Sequence, residues 1–338
     1  MKTTEKEILA LGIESTAHTF GASVASSTRG ILTDCKRTYT SRPGRGIHPR
    51  EAAQHHASIA AEVVREALTL GEDHPAKIDL VGFSRGPGLG ACLRTGATVA
   101  RSIAKYLSIP LVPVHHAIGH IEIAAKTSEL IDPLVILASG GHTCITAFAG
   151  GKWRIFGETE DITLGNLLDM FAREAGLQSP AGAAIEEIAA KGSKLVNLPY
   201  VQKGNDVSYS GLLTAAKRVL GRERLEDICY SIQEVSFSAL VEASERALAH
   251  TEKKEVLLVG GVAANRRLRE MMAVISEEQG AKFSSAPDQY SGDCGAQISW
   301  TAILAYESGV KIEIEDSYVI PKWRIDEVLV PWRSQQPS

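Results

Sequence analysis

The sequence predicts an α/β fold built from two duplicated halves, and three observations carry that expectation. First, apolar runs at residues 8–13, 20–25 and from 31 onward are separated by Glu14-Ser15-Thr16 and by Thr28-Arg29-Gly30. The same pattern returns at 133–138, 143–149 and 153–156, with Ser139-Gly140-Gly141 and Gly150-Gly151 between the runs. Short apolar runs bounded by polar and glycine turns read as strands, so one three-strand unit opens each half. Second, the segments after each unit alternate helical periodicity with short buried runs, the signature of an α/β layer structure. Third, the chain has 338 residues, more than the roughly 250–300 at which a single hydrophobic core stops growing.

The helices follow from spacing and from their ends. Pro49–Leu70 carries Ala, Ile, Val and Leu at helical spacing, with Pro49 at its start and Gly71 just past its end. Segments 91–107, 118–130, 164–175, 185–190 and 227–250 read the same way, and strands are expected at 78–84, 111–114 and 255–259. From about Val310 the chain turns polar and proline-punctuated. The expected division is a first lobe at 1–131, a second at 132–309, and a tail at 310–338 packed on the surface.

Composition narrows the function classes. Apolar residues make up 44% and charged residues 22%, as in an ordinary soluble globular protein. A net charge of -4 argues against a broad basic face for nucleic acid, so such a role must rest on a local patch or on partner proteins. Two modest basic groups exist: Arg42, Arg45, His48 and Arg50 in a Gly/Pro loop, and Arg266, Arg267 and Arg269 after a Gly-Gly turn. They suit phosphate contacts or a solvated surface equally. Five dispersed cysteines with no CxxC pair exclude a disulfide framework and a cysteine zinc site, and a reducing cytoplasm is the expected compartment. The first apolar run is too short for a signal peptide, and no stretch approaches the ~18 apolar residues of a membrane span.

Three groups of residues carry candidate chemistry. In Val114-His115-His116-Ala117-Ile118-Gly119-His120, two histidines four apart project from one helical face, a spacing that suits two metal ligands or two hydrogen-bonded rings. A zinc protease would place glutamate where Ala117 stands. A third ligand is needed. Asp293, in Tyr290-Ser291-Gly292-Asp293-Cys294-Gly295, is a candidate, and capping the helix that begins near Gly295 is its alternative role. The second group is three glycine-rich turns after apolar runs, Gly86-Pro87-Gly88-Leu89-Gly90, Ser139-Gly140-Gly141 and Gly260-Gly261-Val262-Ala263-Ala264-Asn265, whose amides can cradle phosphate. No P-loop is present. The third is Asp169 and Glu186, carboxylates suited to ribose hydroxyls or to a solvated helix face.

These motifs together resemble the TsaD family, and in particular its archaeal and eukaryotic branch, the catalytic subunit of the KEOPS complex. The resemblance spans nearly the whole chain. It rests on Gly12-Ile13-Glu14-Ser15-Thr16-Ala17-His18-Thr19, Gly86-Pro87-Gly88-Leu89-Gly90, His116 with His120, Ser139-Gly140-Gly141, Gly157-Glu158-Thr159, Tyr209-Ser210-Gly211-Leu212, and Gly260-Gly261-Val262-Ala263-Ala264-Asn265. Its specificity lies in their order and combination.

The resemblance implies an actin-like (ASKHA) fold of two duplicated lobes around a nucleotide and metal cleft. It implies transfer of a threonylcarbamoyl group from threonylcarbamoyl-AMP to the N6 amine of the adenosine beside the anticodon, in tRNAs reading codons that begin with A. It further implies one divalent metal, iron or zinc, on His116, His120 and Asp293. Leu137, Ala138, Ser139, Gly140, Gly141, Asp169, Gly182, Glu186 and Asn265 would hold the adenylate or ATP. The implied partners are tRNA and other KEOPS subunits, including a small kinase/ATPase subunit and a dimerising subunit. Three positions depart from the archaeal pattern. Leu137 stands where a tyrosine ligand is usual, His142 stands where asparagine is usual, and Pro180-Ala181-Gly182-Ala183 replaces Pro-Gly-Gly-Pro. Two other classes remain open on the sequence: an ATP-dependent small-molecule kinase of the same fold, and a non-catalytic nucleotide-binding scaffold subunit.

Overall fold

The structure, a computed structural model, describes residues 6–41, 46–70, 77–177 and 182–334. Arg42, Arg45, Gly71, Pro180 and Ala181 lie outside the described residues.

Two mixed sheets form the frame. In the first, β1 (Leu9–Glu14) pairs antiparallel with β2 (Thr19–Ser26), which in turn pairs with β3 (Gly30–Ile31) and β4 (Cys35–Thr38). On its other side β1 runs parallel to β5 (Leu80–Gly86), and β5 to β6 (Leu111–His115). The second sheet repeats this plan. There β7 (Leu134–Ala138), β8 (Thr143–Ala149) and β9 (Lys152–Glu158) form the antiparallel meander, and β12 (Glu255–Val259) and β13 (Lys282–Ser285) extend it in parallel. The first order is β3-β2-β1-β5-β6 and the second is β13-β12-β7-β8-β9, the same path read from opposite ends. A two-residue hairpin, β10 (Gln202–Lys203) with β11 (Asp206–Val207), lies outside both. Strands β4 and β13 escape the sequence reading because they are short and polar, CKRT and KFSS, and lack an apolar run.

Helices cover both faces of each sheet. α1 (Pro49–Leu70) and α2 (Gly90–Leu107) pack Val63, Ala67, Ala97 and Ala100 onto Leu11, Ile13 and Phe83. On the second sheet, α4 (Leu164–Glu174), α5 (Gly182–Ala189), α6 (Ser210–Val219) and the long α7 (Leu225–Thr251) share a core with Leu134, Ile136 and Val256. α8 (Arg266–Glu278) connects β12 to β13, and a single turn, α9 (Asp288–Ser291), follows.

The two remaining helices exchange sheets. α3 (His116–Ser128) follows β6 of the first sheet, yet its Ile118, Ile121 and Ala124 pack on Val135, Leu137, Leu257 and Val259 of the second. α10 (Gly295–Glu307) is encoded last, yet Ile298, Ala302 and Ile303 pack on Ala10, Leu80 and Val112 of the first. Gly12 makes that approach possible, since a Cβ there would stand 2.2 Å from the Ser299 amide nitrogen. The exchange brings the N-termini of α3 and α10 together at the seam between the lobes.

Several residues of the tail are anchored to the body of the protein. Ile312 bridges to Leu111, the Ile320 amide donates to the Arg85 carbonyl at 2.8 Å, and Ser317, Ile325 and Val330 are buried. Among the described residues, no helix is long and apolar enough to cross a membrane.

Candidate active site

The metal-ligand candidates converge at the seam. His115 closes β6 and caps α3: its Nδ1 accepts from the Ile118 amide at 3.4 Å, and its Nε2 lies 3.1 Å from the Trp323 carbonyl. Burial pushes this imidazole down to about 3, so it is the neutral Nε2–H tautomer that satisfies both bonds. With α3 thus begun, His116 and His120 stack on one face, their rings edge to face at 4.7 Å. Asp293 Oδ1 lies 3.5 Å from His116 Nε2 and 3.4 Å from His120 Nε2, and the three ligand atoms all lie within 4.8 Å of one another. Two imidazole nitrogens and one carboxylate oxygen at this spacing fit a transition metal ion bound at about 2.0–2.2 Å from each.

A second layer orients the first. Glu14 is fully buried; its Oε1 accepts the Thr16 amide at 2.6 Å, and its Oε2 stands 3.1 Å from His116 Nδ1. Gln297 Nε2 lies 3.1 Å from the same nitrogen. A proton on Nδ1 shared with Glu14 leaves Nε2 free for a metal, the carboxylate–histidine–metal arrangement. Burial alone would lower the affinity of His116 for protons, but Glu14 and then Asp293 outweigh it and raise the pKa to about 9. Metal binding at neutral pH therefore displaces a proton. Burial likewise opposes the Asp293 carboxylate, and His116 and His120 hold it well below the usual range. The sequence singles out Glu14 only as part of a motif; the signal for its role was an acidic residue closing a fully apolar strand. Glu14→Gln is expected to weaken metal binding by about 10–100-fold with the fold intact, measured by competition with a chelator; unchanged affinity would contradict the role.

The alternative role for Asp293 is taken by another residue. The N-cap of α10 is Cys294, whose side chain makes no cap bond, while Asp34 reaches across from the β3–β4 connection and accepts the Ala296 amide at 3.0 Å. His142 also borders the cluster; burial, then the neighbouring His116 and His120, push it down to about 4, so it is neutral at physiological pH.

The second candidate group gathers beside β7. Ser139 forms a tight turn in which its Oγ accepts the Gly141 and His142 amides, and its carbonyl accepts the Gly165 amide at 3.2 Å as α4 begins. Gly260, with φ +97°, closes the other side, where a Cβ would stand 2.4 Å from the Ala138 carbonyl. Asn265 Oδ1 caps α8 through the Leu268 amide, and its Nδ2 donates to Gln233 Oε1 at 2.7 Å. Glu186 Oε1 accepts both the amide and Nε of Arg266 at 3.1 Å, so Glu186 and Asn265 meet at the start of α8. Asp169 is half-buried in α4, and Gly182 opens α5 with no atom of the described residues within 4 Å of its missing Cβ. Leu137 and Ala138 are buried at the end of β7, directly before the Ser139 turn.

Two amides of the turn at Gly86-Pro87-Gly88-Leu89-Gly90 are engaged within the protein. The Gly88 amide donates to the Pro321 carbonyl and the Leu89 amide to the Thr16 carbonyl at 2.7 Å. These donors are spent on the tail and on the Glu14-Ser15-Thr16 turn, not left for phosphate.

Known proteins resemble this chain in sequence and in fold. Residues 30–300 match the family model for TsaD, tRNA N6-adenosine threonylcarbamoyltransferase. The chain belongs to the TsaD family. TsaD relatives named tRNA N6-adenosine threonylcarbamoyltransferase include one from Thermofilum pendens, 50% identical over 96% of this chain and 97% of the relative. A Methanosarcina barkeri protein named as a probable bifunctional tRNA threonylcarbamoyladenosine biosynthesis protein is 48% identical over 98% of this chain and 61% of its own length. The fold extends beyond TsaD proteins. HypF from T. kodakarensis superposes with a TM-score of 0.64 at 16% identity, covering 90% of this chain and 48% of HypF. The activator of the 2-hydroxyisocaproyl-CoA dehydratase from Clostridium difficile superposes with a TM-score of 0.53 at 12% identity, over 89% of this chain and 97% of the activator. These neighbours identify the actin-like ASKHA fold.

Proposed function

We propose that this TsaD-family enzyme transfers the threonylcarbamoyl group from threonylcarbamoyl-AMP to the N6 amine of the adenosine beside the anticodon in tRNAs reading codons that begin with A. The observation that carries the reading is the His116–His120–Asp293 cluster, backed by the buried Glu14, at the lobe seam of a chain 50% identical to proteins named for this activity. An adenine amine is a weak nucleophile because its lone pair is delocalised into the ring. A bound metal, iron or zinc, would supply Lewis-acid polarisation of oxygen and offset phosphate charge. His116, His120 and Asp293 hold that ion, and Glu14 fixes the His116 ring. The Ser139-Gly140-Gly141 turn and the Asn265–Glu186 corner hold the adenylate, with Asp169 and Gly182 beside it and the Leu137 and Ala138 backbone as the floor. Much of the acceleration then comes from positioning the acceptor in line with the carbonyl.

A kinase reading has no specific observation in its favour, because the His–His–Asp cluster has no role in simple ATP phosphotransfer. The protein works in the cytoplasm within a KEOPS-type assembly, with a small kinase/ATPase subunit and a dimerising subunit. The bifunctional name of the longer Methanosarcina relative supports a fused or neighbouring second activity.

Two results test these assignments. Asp169→Ala and Glu186→Ala are each expected to weaken nucleotide binding by about ten- to a hundred-fold, the equivalent of losing a charged hydrogen bond of about 1.5–3 kcal/mol. Asn265→Ala is expected to add a loss of about 1 kcal/mol in stability, because Asn265 also caps α8. Metal content should stay at the wild-type level in all three, and wild-type nucleotide affinity in all three would rule out the pocket. With a net charge of -4, the isolated chain is expected to bind tRNA weakly, while the assembled complex binds tightly with a steep salt dependence. Tight binding by the isolated chain at physiological salt in a filter or anisotropy assay would contradict this.

A further inference from the structure

The start of α10 poses a competition that the structure resolves in an unusual way. A helix start leaves its first amides without intrahelical partners, and the residue best placed to satisfy them is a short polar side chain just before the first turn. Here the N-cap is Cys294, a poor acceptor, whose thiol points to the Gln297 side chain instead. Asp293 comes immediately before it, with a carboxylate of the right length and charge for those amides and for the positive end of the helix. Yet Asp293 turns its Oδ1 to His116 and His120.

The amides are satisfied from elsewhere. Asp34 lies 262 residues before Ala296 in the chain and accepts its amide at 3.0 Å. Asp34 is held there by the first sheet: it directly precedes β4, whose Cys35 pairs with Ala22 on β2. The adjoining Lys36 Nζ donates to the Gln289 carbonyl in α9 at 3.3 Å. The same segment therefore grips the Asp293 loop on both sides. The partner helix needs no such help, because α3 is capped by its own His115.

We propose that Asp34 is a positioning residue for the metal centre: by capping α10 in place of Asp293, it keeps the Asp293 carboxylate directed at His116 and His120. The inference rests on the metal-site reading above. It makes a specific physical claim, that removing Asp34 does not merely loosen α10 but recruits Asp293 to cap it, turning a ligand away from the metal.

The test uses the full chain, with cobalt(II) alone as the probe, read by its visible spectrum and by chelator competition. Asp34→Ala is expected to lose at least about tenfold in cobalt affinity and to change the spectrum as one oxygen ligand is lost. Asp34→Asn keeps the acceptor oxygen and is expected to retain both. The decisive variant is Asp34→Ala with Cys294→Ser, which installs a good N-cap in the helix itself; it should release Asp293 and restore the affinity and spectrum towards wild type. Wild-type cobalt binding in Asp34→Ala overturns the proposal, as does a double variant that regains thermal stability without regaining cobalt. If Asp34→Ala fails to fold, Asp34→Ser, whose shorter side chain cannot span to Ala296, replaces it under the same two outcomes. Failure of the metal-site reading is distinguishable, because cobalt would then bind equally to the wild type and to a His116→Ala, His120→Ala protein.

Discussion

Replacing His116 and His120 together by alanine is expected to remove the bound metal and abolish threonylcarbamoyl transfer, while nucleotide affinity and the folded state persist. Both imidazoles share one candidate ligand set with Asp293, so their loss would leave a single carboxylate, too little to hold a transition metal. The fold should survive, since the packing face of α3 is formed by Ala117, Ile118, Ile121 and Ala124. With no metal held at the site, the double variant should fall to background turnover rather than to a fractional rate. Elemental analysis beside a nucleotide titration separates this outcome from unfolding. A double variant that retains stoichiometric metal would place the ion elsewhere.

The second large effect concerns stability. Arg333, near the end of the tail, forms a two-point ion pair with Glu122 of α3, Nε to Oε1 at 2.7 Å and Nη2 to Oε2 at 2.9 Å. Its Nη1 donates to the Ile131 carbonyl, the Trp332 indole donates to Glu122, and the guanidinium lies 4.7 Å over the Trp153 ring. Both charged side chains are only 5% exposed. Deleting one member strands a buried charge, so Arg333→Ala is expected to cost about 3–5 kcal/mol. Replacing both, with Glu122→Leu and Arg333→Met, should cost much less, because no charge is then left unpaired. Denaturant unfolding of the three proteins checks this; an Arg333→Ala variant as stable as wild type would show the pair to be dispensable. The tail, which in sequence is a polar run with prolines, thus locks the helix that carries the histidines.

The parts of this account that the sequence discloses are those set by local pattern. The repeated three-strand unit, the ends of α1 and β12, and the i, i+4 placement of His116 and His120 follow from periodicity and turn residues alone. What the sequence hides is decided by contacts between distant segments. The exchange of α3 and α10 between sheets leaves no periodic trace, because each helix is apolar enough to pack on either sheet. Asp293 as ligand or as cap was undecidable from its neighbours, since the side chain that accepts the Ala296 amide is Asp34, just before β4 and far away in the chain. The turn at Gly86 to Gly90 has the composition of a phosphate cradle, yet its Gly88 and Leu89 amides donate to Pro321 and Thr16. Glu14 emerges as the support of His116 only once β1 and α3 are brought together, with Gln297 of α10 beside the same ring.

The central claim is that this metal centre transfers threonylcarbamoyl to tRNA, and one measurement tests it most directly. The purified chain, assembled with its partner subunits, is incubated with threonylcarbamoyl-AMP and unmodified tRNA that reads codons beginning with A, and the digested tRNA is analysed for nucleosides by mass spectrometry. The account predicts N6-threonylcarbamoyladenosine with the wild-type chain and none above background when Asp293→Ala replaces it. Equal modification with both chains, or none with the wild type despite bound metal and nucleotide, would contradict it.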